Sequence, residues 1–167
     1  MTNAPALPPL EKLGAPPATG PLVDGRLVTC WFAISLCYML IGPVAGLLTS
    51  MKLDDPEFMA HVEWLQYGRM RLLHVNGVIF GTFTPAMFGL MCYAIPKLTG
   101  RPLWGIRAAY TAFVLNAIAL VVGPTCLLLG IIQPIEAGEM PIASDVVVTI
   151  VFTLMTAVFL MTIAQRR

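Results

Sequence analysis

Arg69-Met-Arg-Leu-Leu-His74-Val-Asn-Gly-Val-Ile-Phe-Gly81 carries two cations and one imidazole into the start of a long apolar run. The run continues past Pro85 and Gly89 to Pro96. That is enough to cross a lipid core, which takes roughly 20 mostly apolar residues in a helix. His74 is one of two histidines in the chain and the only one inside such a segment. Ionisable groups are costly within a span, so His74 is a functional candidate by default, and imidazole is a common axial ligand of haem iron. Arg69 and Arg71 lie just upstream, where cations could neutralise the carboxylates of a bound porphyrin.

The rest of the chain extends this reading. Hydrophobic residues make up 57% and charged residues 11%, and the mean hydropathy is +0.81; such a composition belongs to an integral membrane protein. Four stretches are long and apolar enough to span, at about 27–50, 72–96, 104–132 and 144–164. The expected fold is therefore all-α, a four-helix membrane bundle over 27–167. Residues 1–26 hold Pro5, Pro8, Pro9, Pro16, Pro17 and Pro21 among small and polar residues. They cannot bury a core and read as a disordered cytoplasmic arm. The first span is expected to act as its own uncleaved insertion signal, since no short apolar leader precedes it. The net charge of +1 gives no reason to expect a nucleic-acid partner.

Orientation follows from the cations in each connection. Lys12, Arg26, Lys97, Arg101, Arg107, Arg166 and Arg167 are seven of the ten, and all fall in the arm, the second connection or the tail. The other two connections hold Asp54, Asp55, Glu57, Glu63, Glu136, Glu139 and Asp145, seven of the nine acids. Both termini are expected in the cytoplasm, with His74 close to the outer face.

On the second span Gly77, Gly81, Pro85 and Gly89 recur every four residues and form one stripe, where a neighbouring helix or a flat cofactor can approach the backbone. His74 adjoins that stripe. Pro85 should kink the helix, because proline lacks the N–H that the ladder needs. The first span carries Gly42, Pro43 and Gly46, which points to close packing or a mild kink. The 51–70 connection, with Trp64 and Tyr67, is expected to lie along the membrane surface as a short interfacial helix. His61 within it reads as a solvated side chain. Cys30, Cys37, Cys92 and Cys126 lack metal-site spacing and read as small hydrophobes. Asn116 is expected to make an interhelical hydrogen bond. Glu136, Glu139 and Asp145 read mainly as solvated loop acids, with cation binding or partner contact as the sharper reading. Phosphate loops, nucleophile elbows and zinc-binding helix motifs are absent from the sequence.

Gly68-Arg-Met-Arg-Leu-Leu-His74-Val-Asn-Gly-Val-Ile-Phe80 resembles the helix-two signature of the haem-copper oxidase catalytic subunit, the C-type (cbb-type) enzymes above all. Ala94-Ile-Pro-Lys-Leu-Thr-Gly100 is similar to the inner end of that helix. Leu129-Gly-Ile-Ile-Gln-Pro-Ile-Glu-Ala-Gly-Glu-Met-Pro141 is similar to the outer loop that follows helix three in C-type oxidases and the related nitric oxide reductases. The resemblance runs over about 26–167 and is strongest around His74.

It implies that His74 is one axial ligand of a low-spin haem b, with Arg69 and Arg71 near its propionates and Gly77 and Gly81 where the haem or a helix comes close. The family's subunit has about twelve spans, and its copper ligands and remaining haem ligands lie beyond the fourth. Two histidines cannot supply them. The resemblance thus implies an amino-terminal or split part of a terminal oxidase subunit in the inner membrane. A larger subunit would provide the second axial ligand and the copper site, and cytochrome c-type subunits would be further partners. Part of a nitric oxide reductase, a homodimeric b-type cytochrome and a haem-free scaffold are the other readings that the residues leave open.

Overall fold

The computed structural model describes residues 21–135 and 138–165; the arm expected over 1–26 lies mostly outside them. Four helices follow one another: α1 (Gly25–Asp54), α2 (Tyr67–Thr99), α3 (Ile106–Leu129) and α4 (Ile142–Ala164), each long and apolar enough to cross a membrane. All-helical architecture is what lipid demands, because only a helix satisfies every backbone N–H and C=O within its own span. Among the described residues there are no strands.

α1 begins at Asp24, whose carboxylate accepts from the Leu27 N–H at 3.0 Å and from the Tyr110 hydroxyl of α3. Its buried positions are Leu27, Trp31, Ser35, Gly42, Ala45, Thr49 and Lys52. Their spacings of three, four and seven residues trace one stripe along the helix. That stripe packs on α2, which also touches α3 and α4, while α3 and α4 pair closely with each other. The core divides by depth. Toward the start of α1, Trp31 meets Phe88 and Phe113 edge-on, each at a centroid distance of 5.2 Å, and Phe88 meets Phe152 at the same distance. Toward the other end, Ala45, Leu65, Met70 and Leu73 form a smaller aliphatic cluster.

The stripe of small residues on α2 faces α1. A methyl group added at Gly81 would run into the Tyr38 ring, and one at Gly89 would lie 3.1 Å from Trp31 Cβ. Gly77 faces the Gly42 backbone, where an added Cβ would be 3.6 Å from the Gly42 Cα. Gly77 and Gly81 thus both lie close to α1, Gly77 to the Gly42 backbone and Gly81 to the Tyr38 ring. Hydroxyls reinforce the seam: Ser35 donates to the Thr82 carbonyl at 2.9 Å, and Tyr38 reaches across to the Leu120 carbonyl of α3.

Several expected details differ. α2 does not simply kink at Pro85; its Gly77–Phe83 stretch is π-helical. In this widened turn the Thr84 N–H bonds back to the Ile79 carbonyl, and the Thr82 and Thr84 hydroxyls reach the carbonyls of Gly77 and Ile79 at 3.2 and 3.0 Å. The turn runs into Pro85, where the ordinary ladder is already interrupted. The 51–70 connection holds only a short 3-10 turn, Glu63–Leu65, and α2 starts at Tyr67. α3 stops at Leu129 because Gly130 takes a left-handed φ of 78° and its N–H turns back to Cys126 and Leu127.

Packing this close leaves no slack, so Gly81→Ala should destabilise the detergent-solubilised protein by ~1–3 kcal/mol through overpacking against Tyr38. Gly25→Ala adds the same methyl where nothing lies within 4 Å, and its thermal midpoint should match the wild type.

Candidate functional site

His74 sits in the first turns of α2, half-buried, with its ring against α1. Its Nδ1 lies 2.8 Å from the Gly42 carbonyl oxygen. A carbonyl only accepts, so Nδ1 carries a proton, and in the neutral ring the lone pair is then on Nε2. Donor chemistry of this kind suits a metal: one ring nitrogen anchored to the backbone, the other basic and available. Gly46, one turn after Gly42, makes the room. A Cβ there would stand 2.6 Å from His74 Nδ1 and 2.8 Å from Cε1. His61, the chain's other histidine, is exposed in the connection before α2.

Arg69 and Arg71 are brought together, but not directly with His74. Both line an open cavity of about 760 Å³, along with Leu72, Gly130, Gln133 and Glu139, and His74 is not part of its wall. Their states differ. Arg69 donates from Nη1 to the Leu128 carbonyl at 2.9 Å and lies over Gly130. It thus satisfies a carbonyl that the end of α3 leaves open, and its charge complements that end of the helix dipole. Arg71 is exposed.

Glu139, which lines this cavity, and Asn76, which is bonded to it and was not picked out from the sequence, are both buried. Glu139 is 8% exposed, although the reading of the loop acids as solvated puts it in water. Its Oε2 accepts from Asn76 Nδ2 at 3.2 Å, and Asn76 also donates to the Leu72 carbonyl at 3.0 Å. The Asn76 Oδ1 is buried without a partner among the described residues. Gln133 holds the loop in place: its N–H bonds to the Glu139 carbonyl at 3.0 Å, and its side chain reaches the Met140 carbonyl and Asp145. Asn76, a polar residue two positions after His74 in an apolar run, was a legible signal; Glu139 had none, because an irregular loop has no period from which burial can be read. Glu136 lies outside the described residues. Asn116 is buried, and its Nδ2 meets no acceptor among the described residues. No cluster of three His, Cys, Asp or Glu side chains suited to a metal ion occurs among the described residues.

Residues 26–167 match the sequence profile of Cytochrome C and Quinol oxidase polypeptide I. The chain belongs to this oxidase subunit I family. Similar proteins include the cytochrome c oxidase subunit 1 homolog, bacteroid, of Bradyrhizobium diazoefficiens, 29% identical over 163 residues, which are 97% of this chain and 29% of that protein. The cbb3-type cytochrome c oxidase subunit CcoN1 of Stutzerimonas stutzeri is 25% identical over 150 residues, 90% of this chain and 32% of its own length. A cytochrome c oxidase subunit 1 homolog of Azorhizobium caulinodans is 27% identical over 168 residues, 100% of this chain and 29% of that protein. The chain thus spans about a third or less of the length of the curated relatives it matches.

The two arginines of this oxidase subunit I segment should separate cleanly. Arg69→Ala strips the partner from the Leu128 carbonyl and should cost about 1–3 kcal/mol of stability in a thermal or denaturant melt. Arg71→Ala should leave that melt within about 0.5 kcal/mol of wild type, as surface changes usually do.

Proposed function

We propose that this chain forms the first four helices of a C-type terminal oxidase catalytic subunit, and that His74 Nε2 is one axial ligand of a low-spin haem b. The observation that carries the proposal is the Nδ1 contact with the Gly42 carbonyl, which leaves the lone pair of the ring on Nε2. A haem held there by His74 would supply one-electron relay chemistry between a cytochrome c-type donor and the site of oxygen reduction.

The chain's own part is to hold and shield. The Gly42–Gly46 face of α1 fixes the imidazole, and the apolar walls of α1 and α2 keep the surroundings at low dielectric, one of the levers that sets a haem potential. Arg71 is the better propionate contact of the two arginines, because the guanidinium of Arg69 already serves the end of α3. The second axial ligand and the copper ligands come from outside residues 26–167, on the larger oxidase subunit that completes the assembly. The cation count supports a cytoplasmic position for both termini and an outer-face position for His74 in the inner membrane. Nitric oxide reduction is the less favoured chemistry, since the relatives matched bear oxidase names.

His74→Ala should abolish the low-spin b-type band in reduced-minus-oxidised spectra of membranes that still contain the chain, together with electron transfer from reduced cytochrome c to oxygen. An unchanged spectrum and an unchanged rate would refute the ligand assignment.

A further inference from the structure

Gly46 bears on the imidazole as directly as any group of α1. Three ring atoms of His74, namely Nδ1, Cε1 and Cγ, would lie 2.6, 2.8 and 3.2 Å from a Cβ built at this position. Real Cβ atoms essentially never approach other heavy atoms below 3.0 Å, so even alanine forces the ring or the helix to move. The neighbouring constraints remove the easy escapes. Gly42 is buried against α2, where its own Cβ would stand 3.0 Å from Val78 Cγ2 and 3.4 Å from the Val78 nitrogen. α1 is also tied to α2 by the Ser35 bond to Thr82, and to α3 by Tyr38 and Asp24. The ring, with rotatable side-chain bonds, is the part free to give way, and the bond it would lose is the 2.8 Å contact with Gly42.

We propose that Gly46 is a positioning residue for the haem: together with the Gly42 carbonyl it forms a notch on α1 that holds the His74 imidazole in the Nδ1–H tautomer and aims Nε2 at the iron. The proposal rests on the reading of His74 as an axial ligand. Its physical content goes further. A backbone carbonyl accepting from Nδ1–H increases the basicity of Nε2, which favours the ferric over the ferrous iron. Loss of that bond therefore raises the midpoint potential, and a rotated ring changes the ligand field of the low-spin iron. α1 carries no ligand of its own in this account, yet it sets the redox behaviour through one carbonyl and one missing methyl.

The test uses the complete oxidase complex in its native membrane with Gly46→Ala, Gly25→Ala and His74→Ala, read by low-temperature electron paramagnetic resonance and a redox titration. Gly46→Ala should shift the low-spin g values and move the b-haem midpoint potential upward, or empty the site. Gly25→Ala, whose methyl meets nothing within 4 Å, should do neither. Wild-type g values and potential in Gly46→Ala, alongside loss of the haem in His74→Ala, overturn the role of the notch while leaving the ligand assignment standing. Retention of the haem in His74→Ala overturns the ligand assignment and the notch with it. If Gly46→Ala fails to accumulate, the double variant Gly46→Ala, His74→Ala decides the matter. Restored accumulation shows that the methyl collided with the imidazole, and continued loss shows that Gly46 serves something else.

Discussion

Close approach of α1 to α2 is the constraint on which the rest of the molecule depends. It is made possible by glycines on both sides, Gly42 and Gly46 on one helix and Gly77, Gly81 and Gly89 on the other, each opposite a backbone or a ring that leaves little room for a side chain. In lipid there is no hydrophobic drive between apolar helices, so association relies on contact packing and interhelical hydrogen bonds, both of which grow as backbones approach. The seam has both. Its one imidazole lies in the same interface, bonded to a carbonyl on the opposite helix.

The π-helical turn belongs to this arrangement. An extra residue per turn over Gly77–Phe83 rephases the helix between His74 and Pro85. His74 and Gly89, fifteen residues apart on either side of this turn, both lie against α1. Widened turns leave carbonyls poorly paired, and here the hydroxyls of Thr82, Thr84 and Ser35 meet those of Gly77, Ile79 and Thr82. Beside the opposite wall of α2, Arg69 and the folded loop around Gln133 and Glu139 complete the end of the bundle. Polar side chains at this end are mostly engaged with backbone carbonyls, which keeps desolvation affordable near the membrane boundary.

The four spans were legible because a bilayer imposes its length on sequence as an apolar run. The ends of the helices were less so. Hydropathy reports where lipid stops, whereas a helix stops at its cap. Thus α2 extends upstream through the polar Gly68-Arg-Met-Arg to Tyr67, and α3 ends at Gly130 while the apolar residues Ile131 and Ile132 continue. His74 stood out as an ionisable group in a span. Its acceptor did not, since Gly42 lies 32 residues away and no local pattern pairs the two. The glycine stripe was visible in the sequence, but which neighbour it faces was not, because α1 is brought against it only by the tertiary fold. Burial of Glu139 was hidden for the reason that makes loops hard in general: without a period, a charged residue gives no hint of which way it turns.

The central claim is that His74 supplies one of two axial nitrogens to a low-spin haem. Its most direct test is near-infrared magnetic circular dichroism of the purified oxidase complex carrying His74→Met. The account predicts that the charge-transfer band of the ferric low-spin haem moves from the position for two histidines to that for histidine and methionine. A band unmoved from the two-histidine position would contradict it, because the ligand would then lie elsewhere.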